Sequence, residues 1–238
     1  MKEDICSIPI HDIFALQEGC PFCAMRDMLE ERLTTYITGA AMMEPDVRGE
    51  TNRLGFCEIH FQQLAARGSK LTVALILESL LRELQGEIFS EINTQKALKK
   101  AAATVKQHTA DCYICGQAGI QMHHLTQNML QLWREDERFR SLYRAQSLIC
   151  LPHYGQVLEE AAKVLRRRQL LEFAADSRKL AKDYLSGLEG EVTAICRMYD
   201  YRNSGKDFGG NRDADLRAMA YLTARKPEIR RKAEEKNR

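Results

Sequence analysis

The sequence predicts an all-α protein built from two similar helical repeats. Three observations carry that expectation. Helix breakers are few, with five prolines and fourteen glycines in 238 residues. Apolar residues recur every three or four positions in nearly every segment between them. A set of cysteines and histidines occurs twice in the same order.

Met25, Met28, Leu29, Leu33, Tyr36 and Ile37 share one face of a first helix that stops at Gly39. The stretch from Ala40 to Gly55 holds Pro45, Gly49 and Asn52 with no period, so it reads as a loop of functional length. A short helix follows from Cys57 to Arg67. From Lys70 to Ile92, residues such as Leu71, Leu80, Leu81, Ile88 and Phe89 make the wide apolar stripe of a core helix, and a polar, alanine-rich run continues to His108. The helical period restarts at Ile120, Met129 and Trp133, continues through Phe139 and Tyr143, and fills Pro152 to Tyr199, where Gly187 and Gly190 are the expected dividing points. Arg202 to Asn211 reads as a linker, and Asp213 to Ala224 as a short helix. The last fourteen residues carry seven bases and three acids and read as a solvated terminus. The organisation expected is a first repeat over 1–92, a connecting helix over 93–111, a second repeat over 112–200, and a C-terminal lid helix with a basic tail over 201–238.

Composition excludes several classes. With 45% hydrophobic and 29% charged residues the chain can bury a core, and no apolar run reaches the ~18 residues of a membrane helix. Lys2, Glu3 and Asp4 do not resemble the start of a signal peptide, so the expected location is the cytoplasm. A net charge of +2 lacks the footprint of a dedicated nucleic-acid binder. Eight cysteines in a reducing compartment then call for metal or redox chemistry in place of disulfides.

Their spacing names the chemistry. Cys20-Pro-Phe-Cys23 is followed, after 33 residues, by Cys57-Glu-Ile-His60. Cys112-Tyr-Ile-Cys115 is followed, after 34, by Cys150-Leu-Pro-His153, which places the second set 92 to 93 residues beyond the first. Two intervening residues let a tight turn or a first helical turn bring both side chains onto one ion. A Cys-x2-Cys knuckle and a Cys-x2-His together supply the four N/S donors of a closed structural zinc site. Thiolate and imidazole suit zinc, and two Zn2+ per chain are expected; an iron–sulfur cluster or other redox-active metal is the alternative. One site per repeat is the expected pairing, with a swapped pairing across the repeats as the alternative. Structural zinc contributes ~10–16 kcal/mol of apparent free energy, so loss of one ligand is expected to unfold its repeat. Four protein ligands leave no open coordination position, which argues against catalytic zinc.

Cys6 and Cys196 fall outside the pattern and read as buried small apolar side chains. His123 and His124 follow the second knuckle; packing or solvation is the plainer account, a supporting role to the metal the sharper one. Ahead of Cys57, within the first repeat, Glu44, Asp46, Arg48, Glu50 and Asn52 form the most function-like stretch outside the ligands. It reads either as a capped, salt-bridged connection in which Arg48 pairs with an acid, or, with Tyr201 and Arg202, as a candidate ligand pocket. The corresponding stretch of the second repeat, Glu135 to Arg140, reads as an ordinary helix. Asp200 to Asn203 and Asp207 to Asn211 fit either a lid or turns, and Arg166 to Arg168 a solvated face. No phosphate-binding glycine loop, Gly-x-Ser-x-Gly or His-Glu-x-x-His motif occurs.

Over nearly its whole length the chain resembles an uncharacterised bacterial family, a domain of unknown function found mostly in anaerobes. The resemblance rests on Cys20-Pro-Phe-Cys23, Met43 to Arg48, Glu50-Thr51-Asn52, Gly55-Phe56-Cys57 with His60, the second Cys-x2-Cys and Cys-x2-His pairs, Asp200 to Asn203, and Gly210-Asn211 with Asp213-Ala214. It implies a single integral unit and no particular activity. The expected function is a cytoplasmic zinc-binding protein acting as an interaction or ligand-binding module for a protein or small ligand. A redox or metal-handling protein and a nucleic-acid-binding zinc-knuckle protein are the alternatives.

Overall fold

The structure, a computed structural model, describes residues 7–203 and 213–227. Cys6, the glycine-rich stretch 204–212 and the basic tail from 228 lie outside them. Among the described residues the protein is all-helical, with no strand. The helices are α1 (Ile8–Leu16), α2 (Pro21–Thr38), α3 (Pro45–Leu54), α4 (Glu58–Arg67), α5 (Lys70–Ile88), α6 (Gln95–Ala110), α7 (Tyr113–Glu135), α8 (Glu137–Arg144), α9 (Leu151–Val164), α10 (Arg167–Met198) and α11 (Ala214–Thr223), with short 3-10 turns at Ala40–Met43 and Tyr201–Asn203. Among the described residues no helix is long and apolar enough to cross a membrane.

The chain forms two compact units whose bounds differ from those of the two expected repeats. One comprises Met1–Met25 with Leu125–Arg238, the other Arg26–His124. The chain passes between them within α2 and within α7.

In the first unit, α10 packs on α8, α9 and α11, and α1 packs on α8. An aromatic column fills the interior: Trp133 meets Phe173 at 5.1 Å, Phe173 meets Tyr143 at 5.1 Å, Tyr143 meets Phe14 at 5.9 Å, and Phe14 meets Phe22 at 6.1 Å. Such rings bury large areas and interlock at these separations. The buried Tyr143 hydroxyl lies 2.7 Å from Ser177 Oγ, which donates to the Phe173 carbonyl at 2.8 Å. Gln146 ties α1 in place by donating to the Phe14 carbonyl at 2.7 Å. α1 has no counterpart in the apolar reading of the sequence; Pro9 in its first turn and the buried Ile10 and Phe14 were its signals.

In the second unit, α5 packs against α3, α4 and α6. The 40–55 segment is helical and not a loop, because Pro45 starts α3 with its fixed φ and Gly55 stops it with φ +64°. Among the described residues Arg48 pairs with no acid: it donates to the Met42 and Leu75 carbonyls at 3.2 and 2.9 Å, while Asn52 accepts from Ser79 at 3.1 Å. The α5 stripe is less buried than its width suggests. Ile76 and Leu80 are inside, whereas Leu71, Leu81 and Phe89 are exposed.

Three further expectations are corrected. Gly187 and Gly190 lie inside α10, and the long segment divides instead at Leu165, a buried residue in extended conformation that anchors the turn between α9 and α10. Glu135 to Arg140 is interrupted at Asp136, whose carboxylate accepts from the amides of Arg138 and Phe139 and starts a new helix. Cys196 is exposed on α10.

Candidate metal centres

Each of the four ligand pairs occupies the same local setting, the start of a helix. Cys57 and Cys150 are the N-cap residues of α4 and α9, and their carbonyls accept from Phe61 and Tyr154 at 2.9 and 2.8 Å. Cys20 and Cys112 immediately precede α2 and α7, and their carbonyls accept from Ala24 and Gly116 at 3.1 and 3.0 Å. The second member of each pair stands three residues on, within the first turn and on the same face. A helix start presents free amides and the positive end of the macrodipole, which favour thiolate over thiol.

The pairing differs from one site per repeat. Cys20 and Cys23 converge with Cys150 and His153, and Cys57 and His60 with Cys112 and Cys115; within each quartet the donor atoms all lie within 4.8 Å of one another. Each Cys-x2-Cys knuckle and the Cys-x2-His that follows it in sequence fall in different compact units, and each quartet falls wholly within one.

In the first unit, His153 Nδ1 lies 3.7, 3.4 and 3.1 Å from the sulfurs of Cys20, Cys23 and Cys150, and Cys23 lies 3.7 Å from Cys150. The quartet is largely buried, with the Phe22 ring 6.0 Å from that of His153 and the Ala224 carbonyl, just past α11, 3.7 Å from Cys23. In the second unit, His60 Nδ1 lies 3.2, 3.3 and 3.4 Å from Cys57, Cys112 and Cys115, and Cys57 lies 3.9 Å from Cys115. Here His60 is fully buried, while Cys115 is exposed. Gly55 prepares this centre: its left-handed backbone turns the chain into Cys57, and its carbonyl accepts from the Tyr113 amide at 3.0 Å, bringing the residue after Cys112 alongside.

Three thiols and an imidazole at such separations cannot all ionise without a cation. Burial pushes the Cys112 thiol up, but its hydrogen bond with His60 outweighs this and holds it at about 6. Burial and the neighbouring Cys112 and Cys57 push Cys115 up to about 12. In the other quartet, burial raises Cys20, but hydrogen bonds from Cys150, Cys23 and His153 bring it well below the usual thiol value. The hydrogen bond with Cys20 helps push Cys150 to about 12, and those with Cys150 and Cys20 push Cys23 up. A dication resolves this conflict by making all three thiolates ligands. The donor sets fit that role: each quartet could hold one metal ion.

The other sequence candidates fall elsewhere. Glu44, Asp46, Arg48, Glu50 and Asn52 belong to the second unit, where Glu44 accepts from Tyr36 and Glu50 pairs with Arg53 at 2.6 Å. Tyr201 and Arg202 belong to the first unit; Tyr201 is exposed and Arg202 pairs with Asp200 at 2.7 Å. His123 and His124 are exposed on α7 with their rings 5.6 Å apart. Sequence reasoning missed Glu30, a buried carboxylate whose Oε2 lies 3.5 Å from His60 Nε2. Its only signal was an acid next to Leu29, in the helix that carries the apolar stripe.

The chain is 22% identical over 187 residues, 79% of its length and 85% of the relative's, to the "Uncharacterized 23.9 kDa protein in xynA 3'region" of Caldicellulosiruptor sp. (strain Rt8B.4). No solved structure matches it. Residues 1–229 match a family whose description carries no activity, and the chain belongs to it: the family of unknown function DUF6062.

Proposed function

We propose that the protein is a zinc-binding helical module in which two closed Cys3His centres, one per unit, are structural. One observation carries this reading. Zinc bonds of about 2.3 Å to sulfur and 2.0–2.1 Å to nitrogen, set tetrahedrally, imply S···S edges of about 3.8 Å and S···N edges of about 3.5 Å. Cys23 and Cys150 stand 3.7 Å apart, Cys57 and Cys115 3.9 Å, and the imidazole-to-sulfur distances run from 3.1 to 3.7 Å. These distances match such edges and support a single ion in each quartet. Cysteines that each hold a different iron of a multinuclear cluster must stand farther apart, so the geometry favours zinc over an iron–sulfur cluster.

Because both coordination shells close on protein donors, the metals serve the fold, and the module works by binding a protein partner or small ligand. A net charge of +2 disfavours nucleic acid as that partner. Protein purified without added metal is expected to be colourless and to carry two zinc ions per chain by native mass spectrometry and elemental analysis. A brown protein with iron and absorption near 400 nm overturns the assignment.

A further inference from the structure

We infer that Glu30 is the outer-sphere partner of the second unit's metal centre, positioning His60 for coordination; this rests on the zinc reading above. His60 turns Nδ1 to three sulfurs at 3.2–3.4 Å, so Nδ1 is the ligand atom and the ring proton must sit on Nε2. That nitrogen is buried, and apart from the 3.5 Å approach of Glu30 Oε2 it has no hydrogen-bond partner. A buried N–H without an acceptor is costly, and a ligating histidine ordinarily donates its second ring proton to a carboxylate or carbonyl. Glu30 supplies that acceptor.

The carboxylate itself is held for the task. Glu30 is 2% exposed on α2, an environment that excludes a lone charge. Its neighbours answer for it: Gln63 Nε2 donates to Oε2 at 3.5 Å, and Arg26 Nε approaches Oε1 at 3.8 Å. Thr34 lies one turn further on α2, donating to the Glu30 carbonyl at 2.7 Å and standing 3.2 Å from Gln63 Oε1. The network spans α2 and α4, the helix that carries His60, and fixes the ring plane as well as its tautomer. The first unit lacks this arrangement. Among the described residues no carboxylate lies within 4 Å of His153, whose ring instead faces Phe22 at 6.0 Å. The two centres therefore share a donor set and differ in what stands behind the imidazole.

The test uses the full-length chain loaded with zinc, in competition with a chromogenic chelator, comparing wild type with Glu30→Gln and Glu30→Leu. Cys57→Ser identifies which of the two zinc ions belongs to the second unit. Glu30→Leu is expected to weaken that ion about 10–100-fold and leave the other unchanged. Glu30→Gln keeps an acceptor oxygen and is expected to lose less. Long-range 1H–15N spectra of wild type are expected to show His60 protonated at Nε2 with a proton protected from solvent, and that resonance should move in Glu30→Gln. Equal affinity of both ions in all three proteins, or an unmoved His60 Nε2 proton, overturns the role of Glu30. Retention of the first unit's zinc by Glu30→Leu separates a local effect from unfolding. A wild-type chain that binds no zinc defeats the metal reading itself, a result distinct from zinc bound but indifferent to Glu30.

Discussion

Cys23 Sγ lies 3.4 Å from His153 Nδ1 although 130 residues separate them in the chain. Metal stoichiometry in double variants reads this pairing directly. Cys20→Ser and His153→Ala are each expected to remove one zinc, and the double variant also one, because both residues serve the same ion. Cys20→Ser combined with His60→Ala is expected to remove two. The reverse pattern, measured by elemental analysis on desalted protein, would restore one site per sequence repeat.

Gly55 is the position where backbone conformation and a metal ligand meet. At φ +64° and ψ −161° it occupies a region open almost solely to glycine, and an added Cβ would stand 3.2 Å from His108 Nδ1. Gly55→Ala is expected to cost ~1–3 kcal/mol in urea unfolding and to speed zinc loss from the Cys57 centre. The zinc bound through Cys150 should dissociate at its wild-type rate.

Phe14 joins Phe22, Phe139 and Tyr143 at ring separations of 5.1–6.1 Å and is fully buried. Phe14→Ala empties that space and is expected to destabilise the chain by ~3–5 kcal/mol. Chemical denaturation with zinc held in excess is the measurement. A loss below ~1 kcal/mol would contradict the aromatic column as the core of this unit.

Alkaline pH separates metal-free from zinc-loaded protein. Without metal, Cys115 and Cys150 stay protonated to about 12 in the folded chain against an ordinary 9.0, so folding retains protons that the unfolded chain sheds. The stability they contribute is fully present below pH 9 and is lost as the pH rises towards 12. His60, raised to about 10 from 6.5 by Cys112 and Glu30 against the opposing effect of burial, adds a loss of the same sign between those values. The chelator-treated protein should therefore melt at progressively lower temperature from pH 9 to 10.5. The zinc-loaded protein, with its thiolates already ionised, should lose much less, and parallel curves would show that the thiols do not govern this range.

Much of this was legible in the sequence, and the illegible parts share a cause. The ligands were readable because Cys-x2-Cys and Cys-x2-His are local patterns, and the start of α4 at Cys57 followed from the same spacing. Their partners were not, since the residues between Cys23 and Cys57 and between Cys115 and Cys150 are nearly equal in number and fit either pairing. What decides it is the compact unit that each pair joins, which depends on contacts far apart in the chain. Asp136 and Leu165 broke helices where no glycine or proline stands, one through a side-chain cap and the other through tertiary burial. Glu30 was hidden because its meaning depends on His60, thirty residues on and on another helix.

The exchange of ligands between distant segments also sets an order on biosynthesis. A nascent chain that has emerged as far as Cys115 already holds every donor of one quartet, and that ion can lock the middle of the polypeptide while translation continues. The other quartet would stay half-built until His153 leaves the ribosome, so Cys20 and Cys23, the first made of the eight donors, would wait longest for a metal. Closure of so long a loop is entropically dear and slow, and it depends on the aromatic residues that must gather around it.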